Sequence, residues 1–197
     1  SQQLLPVQSK FESTSTVVSN DYDGDGDMDL FVGTRLVPFL YGAPANGYIL
    51  NNDGKGNFLD VTHSVALELL QLGLITDAKW ADVNNDGKAD LLVVGEWMSI
   101  KVFIQENGKF FDRSFQYGFD KTNGWYNVID TGDFNQDGFV DFVAGNHGLN
   151  SRFKASTAEP VAMIVNDFDQ NGSIEQIITR YDHGVSYPMV LKQDLVT

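Results

Sequence analysis

Asp21-Tyr22-Asp23-Gly24-Asp25-Gly26-Asp27-Met28-Asp29 places five carboxylates in nine residues. Charges this dense repel one another unless a cation sits among them. Numbered as a loop, the stretch has Asp at positions 1, 3, 5 and 9 and Gly at position 6, so alternate side chains converge while the glycine permits the sharp turn. A cage of hard oxygen donors of this kind suits Ca2+.

The pattern recurs. Asp82, Asn84, Asp86, Gly87 and Asp90 repeat positions 1, 3, 5, 6 and 9, and Asp133, Asn135, Asp137, Gly138 and Asp141 repeat them again. Asp167, Asp169, Asn171, Gly172 and Glu175 form a fourth copy with two conservative departures. One such stretch is often a polar turn, but four with an acidic ninth residue point to a recurring metal site. The side chains at positions 1, 3, 5 and 9 are the expected ligands. The backbone carbonyl at position 7 (Asp27, Lys88, Phe139 and Ser173) adds a further oxygen. Three to four Ca2+ ions are expected, the fourth loop being weakened by the neutral Asn171.

The twelve-residue EF-hand loop needs a bidentate Glu at position 12 and a following helix. Here position 12 is Val32, Val93, Ala144 and Ile178, none of which can bind a metal through its side chain. The dockerin-type loop fails the same test. The ninth acid instead leads into Leu30-Phe31-Val32, Leu91-Leu92-Val93-Val94, Phe142-Val143-Ala144 and Gln176-Ile177-Ile178, short apolar runs with strand character. The loops therefore join strand to strand.

On these residues the chain resembles the FG-GAP or VCBS repeats of integrin-alpha-like β-propellers, whose blades carry a calcium loop between their first two strands. Tyr41-Gly42-Ala43-Pro44 is similar to a shortened Phe-Gly-x-Gly-Ala-Pro signature, and residues 50–62 resemble the outer hairpin of a VCBS blade. Gly145-Asn146-His147-Gly148-Leu149-Asn150-Ser151 is similar to bacterial surface proteins related to cartilage acidic protein. The resemblance implies an all-β fold of antiparallel four-stranded blades. Loop starts lie 61, 51 and 34 residues apart. The first two intervals suit four short strands, near a propeller period, and the third does not. Blade 1 is expected at about 14–62, blade 2 at about 75–114, an incomplete blade 3 at about 125–150 and blade 4 at about 160–197. Three to four blades make a partial propeller, since closure typically takes four to eight. A longer protein or a second copy of the chain would supply the rest, and the cut ends would expose strand edges.

Within this frame the strands are expected at Met28–Gly33, Tyr48–Leu50, Phe58–Thr62 and Lys101–Ile104, with further ones at Val161–Val165, Ile174–Tyr181 and Tyr187–Leu195. A short helix is expected from about Ser64 to Gln71, where the apolar residues do not alternate cleanly.

At 197 residues and 42% hydrophobic the chain can bury a core. Its net charge of −14, from 27 acids against 13 Lys and Arg, disfavours nucleic acid, whose binding needs clustered cations. Thirteen of the acids stand at loop positions 1, 3, 5 and 9, and four divalent ions would bring the charge to about −6. With no cysteine, a disulfide framework and thiolate chemistry are excluded. Calcium modules with Kd of roughly 10⁻⁴ to 10⁻³ M fill outside cells, so an extracellular, cell-surface or periplasmic protein is expected, any signal segment having been removed or never having existed. No apolar run approaches 18 residues, so no membrane span is expected.

Catalytic signatures such as G-x-S-x-G, H-E-x-x-H and the P-loop are absent. His63, His147 and His183 each lie near a turn and read as solvated loop residues, while Asn171-Gly172-Ser173 is a glycosylation acceptor whose asparagine the loop already employs. Trp80 reads as core. Trp97 and Trp125, at the blade end opposite the calcium loops, are candidates for ligand stacking or for packing between blades. Asp112 lies outside every loop. The combined expectation is a non-catalytic binding or adhesion module with a protein or glycan ligand, its partner surface on the face away from the metals. Connections such as Thr34 to Ala45 and Gly95 to Ser99 would build that face. A carbohydrate-binding or carbohydrate-active propeller is the alternative, and a spacer without ligand is a third.

Overall fold

The computed structural model describes residues 12–148 and 151–190. They form antiparallel sheets with almost no helix. The first sheet has the order β1 (Ser13–Asn20), β2 (Asp29–Leu36), β3 (Gly47–Asn52), β4 (Phe58–Asp60). A helical turn, α1 (Thr62–Val65), and a 3₁₀ turn at Leu67–Leu69 then lead to β5 (Leu74–Ala81). This connection is shorter and more broken than the helix expected from Ser64 to Gln71: Ala66, with ψ 51, interrupts it. Thr62 ends the expected strand early, because its hydroxyl donates to Asp60 while accepting the Ile49 amide, which turns the chain.

β5, β6 (Asp90–Met98), β7 (Lys101–Glu106) and β8 (Lys109–Asp112) repeat the four-strand order. β9 (Gly124–Gly132) and β10 (Asp141–Asn146) follow, and a three-stranded sheet of β11 (Ala162–Asn166), β12 (Glu175–Asp182) and β13 (Val185–Pro188) closes the described chain. The last expected strand, Tyr187 to Leu195, thus begins earlier, at Val185; residues 191–195 lie outside the described residues. β9 also pairs with β6, through Glu96↔Trp125 and Met98↔Gly124, so the second and third groups of strands share one sheet. The physical reason is overhang. β6 pairs with β7 through Leu91–Val93, and beyond that point its backbone groups need other partners.

Side-chain alternation along β6 explains its unbroken apolar run. Leu91 and Val93 enter a core with Phe31, Ile49, Ile75 and Phe103, between the first two sheets. Leu92 and Val94 point the other way, into a core with Val102, Ile104 and Ile129, against which Phe142 and Ala144 of β10 pack. A third cluster, Val32, Tyr48 and Leu50, lies on the outer face of the first sheet. The strands that open the sheets are stitched together by Asp77: one carboxylate oxygen accepts from Thr16 of β1 at 3.3 Å and the other from the Ile129 amide of β9 at 3.0 Å. The Trp80 ring packs against Tyr22 and Phe110, and its Nε1 donates to the Val18 carbonyl at 3.2 Å. The remaining face of β9–β10 is open, with Val128 and Val143 more than half exposed.

Candidate metal centres

All four acidic loops have the same backbone. The first residue's carboxylate oxygens receive amides from within the loop: Gly24 and Gly26 donate to Asp21, Asp86 and Gly87 to Asp82, Asp137 and Gly138 to Asp133, and Asn171 and Gly172 to Asp167, at 2.8–3.1 Å. Wrapping the chain this tightly requires left-handed backbone at position 6, met by Gly26, Gly87, Gly138 and Gly172 (φ 83–99). Position 4 is left-handed as well, at Gly24, Asn85, Gln136 and Gln170. Sequence reasoning did not single out position 4. Its signal was the run of Gly, Asn and Gln there, of which Gly and Asn tolerate this conformation well and Gln less so.

The ninth acid does a second job. One of its oxygens accepts the amide of position 2 in each loop: Tyr22 to Asp29, Val83 to Asp90, Phe134 to Asp141 and Phe168 to Glu175. In the first two loops the other oxygen accepts a third-strand amide at 2.8 Å, from Asn52 to Asp29 and from Gln105 to Asp90. Asp29 and Asp90 are completely buried as a result. The acid clasps loop, second strand and third strand into one unit.

Burial pushes the Asp29 carboxyl up to about 6, opposed by the hydrogen bond from Asn52 and assisted by the charge of Asp23. Asp90 is raised chiefly by burial too. Asp27 is raised by desolvation and then by Asp25, Asp23 and Asp21, and its Oδ1 is buried with no hydrogen-bond partner. Left alone, these carboxylates repel one another, and a divalent cation reverses that balance. Oxygens of Asp21, Asp23 and Asp29 lie within 4.8 Å of one another, as do those of Asp167, Asp169 and Glu175. The donors are all hard oxygens, and the same loop holds the buried, unpartnered Oδ1 of Asp27, so the residues fit calcium.

A family model described as FG-GAP-like repeat matches residues 21–93 and again 82–144. The chain belongs to the FG-GAP-like repeat family. Each matched repeat starts at position 1 of one loop and ends at position 12 of the next, so an FG-GAP-like repeat here is a loop, the sheet behind it and the loop that follows. The fourth loop lies beyond the matched span yet has the same hydrogen bonds. No curated protein matches the chain.

Sequence reasoning placed the position-3 and position-5 residues together, and in three loops their side chains bond each other. Asn84 donates to Asp86, Asn135 to Asp137 and Asn171 to Asp169. In the first loop Asn51 of β3 donates to Asp23 at 2.8 Å, a support that no motif announced. At position 7, Lys88 also reaches Asp86 at 3.7 Å. The two tryptophans meet at the opposite end, their ring centroids 5.3 Å apart. His147 is an exposed loop residue whose ring stacks on Trp125 at 4.9 Å, where its amide donates to the Trp125 carbonyl.

Proposed function

We propose that this chain is a calcium-stabilised part of a β-propeller, three to four blades long, serving as a non-catalytic binding or adhesion module of an exported or cell-surface protein. The observation that carries the reading is a scheme that recurs in four loops: the position-6 amide donates to the carboxylate at position 1, and the position-2 amide donates to the acid at position 9. The side chains at positions 1, 3, 5 and 9 would hold Ca2+, with the position-7 carbonyls (Asp27, Lys88, Phe139, Ser173) adding oxygens. The ion supplies positive charge that ties the first strands of each blade together. A filled site adds ~2.7 kcal/mol at a hundredfold excess of calcium over Kd.

FG-GAP-like repeats are typical of extracellular proteins, and no helix among the described residues is long and apolar enough to cross a membrane. The exposed Val128 and Val143 on the open face of β9–β10 support completion by the rest of a longer propeller or by a second copy. A protein or glycan ligand would sit at the end away from the metals. Calcium-binding stoichiometry tests the reading: equilibrium dialysis at millimolar calcium should give three to four ions per chain. Fewer than two would overturn it, and turnover of polysaccharides in a cleavage assay would overturn its non-catalytic part.

A further inference from the structure

The end of β6 opposite its acidic loop carries an arrangement that calcium chemistry does not use. Glu96 is buried there, 1% exposed. Arg35 of β2 forms an ion pair with one of its carboxylate oxygens, and the Tyr41 hydroxyl donates to the other at 2.9 Å. That hydroxyl in turn accepts from Trp97 Nε1 at 3.0 Å. The Arg35 side chain nevertheless stays half exposed, leaving guanidinium donors free to face solvent.

Trp97 itself has left-handed backbone, φ 61, which a bulky side chain adopts only under constraint. Its neighbours Glu96 and Met98 pair with Trp125 and Gly124 with an irregularity between them, so Trp97 is bulged out of the ladder and its ring re-aimed. Strain of this kind gathers at ligand sites, where the surroundings over-determine it. Trp125 packs on Trp97, then stacks on His147, and Phe153 lies 5.5 Å from Trp125. The Arg152 guanidinium sits over the Phe153 ring, 5.0 Å from its centroid. None of these four rings belongs to the three hydrophobic cores.

The chemistry selects one class of ligand. Trp97 and Trp125 are half-buried, and the part of an indole left open to solvent offers apolar contact to the C–H-rich face of a pyranose ring. The planar guanidinium of the exposed Arg152, at one end of the chain of contacts, matches carboxylate or sulfate substituents with paired donors, while that of Arg35 at the other end neutralises Glu96. In a chain of net charge −14, the one acid of this cluster is buried and already neutralised. We propose that Trp97, Trp125 and Phe153, with Arg152, form a subsite for an acidic glycan, binding one or two sugar rings by apolar contact and their anionic groups by charge. The proposal rests on the reading of the chain as a binding module and supplies its ligand.

The test is an array of uronate-bearing, sulfated and neutral oligosaccharides probed with the calcium-loaded chain, followed by titration of the best binder against variants. Binding of acidic over neutral chains is expected. Trp125→Ala should weaken the best binder about tenfold or more, the scale of losing an aromatic anchor. Arg152→Gln, at an exposed side chain, should weaken acidic chains while leaving neutral ones unchanged, and it keeps the test sound if Trp125→Ala fails to fold. No glycan bound, neutral chains bound as well as acidic ones, or equal binding by both variants would each overturn the proposal. Calcium stoichiometry measured on the same samples separates the two failures: calcium bound without glycan leaves the propeller reading intact, and calcium absent removes that reading itself.

Discussion

At the scale of single residues, Asp90 shows most plainly how a proposed metal ligand is also a structural clasp. Its two oxygens accept the Val83 and Gln105 amides while it lies fully buried. Asp90→Asn should therefore cost about 2 kcal/mol or more in calcium, by losing both the ion and a charged acceptor. The loss should shrink in chelator, where the native carboxylate is itself penalised by burial; equal losses in the two conditions would count against a metal role. Titration offers a second check. The Asp29 carboxyl is raised from 3.8 to about 6 in the folded state without metal. Its contribution then favours folding fully below pH about 3.8 and is lost as pH rises through about 6. Calcium needs the charged form, so the stabilisation it adds should fall as pH drops from 7 to 4, and melting curves with and without calcium at several pH values would show the two converging. Asp112, which the sequence offers as an acid outside every loop, is a poor comparator for such variants. It bonds Lys101 at 2.8 Å and caps Ser114. Asp120 is exposed and outside the loops, and Asp133→Ala should destabilise in calcium more than Asp120→Ala.

At the scale of elements, the same loop position has opposite surroundings in neighbouring sheets. Position 11 is Leu92 in the second loop, completely buried, and Val143 in the third, 57% exposed. Leu92→Ala should cost about 2–5 kcal/mol, whereas Val143→Ala should stay within about 0.5 kcal/mol in this chain; urea unfolding of both would measure the contrast. Strands and loops were legible in the sequence because two periods coincide there, carboxylates at alternate loop positions and apolar runs directly after the ninth acid. What was not legible came from contacts between distant segments. Asp77 reads as one more acid within a strand, yet it joins three strands, and nothing local to Gly95-Glu96-Trp97 says that β6 would overhang β7 and borrow β9. Gly95 follows the same logic: an added Cβ would lie 2.3 Å from the Leu74 carbonyl oxygen, a clash visible once β5 lies beside it.

Across the whole molecule, two ends of the strand array have separate chemistries. Acidic loops gather at one end, with the cleft lined by Tyr22, Trp80, Lys88 and Gln105 lying between the first two. Gln105 ties that end together, since its side-chain amide donates to the Tyr22 carbonyl of the neighbouring sheet's loop at 2.6 Å. Rings and arginines gather at the other. On the proposed reading, calcium stabilises the frame and is no partner of the ring cluster, so a Trp125 variant should keep its calcium response. The most direct measurement of the central claim is thermal unfolding of the unmodified chain in millimolar calcium and in excess chelator. Calcium should raise the melting temperature by at least about 5 °C even if one site alone fills; superimposable curves would contradict the account.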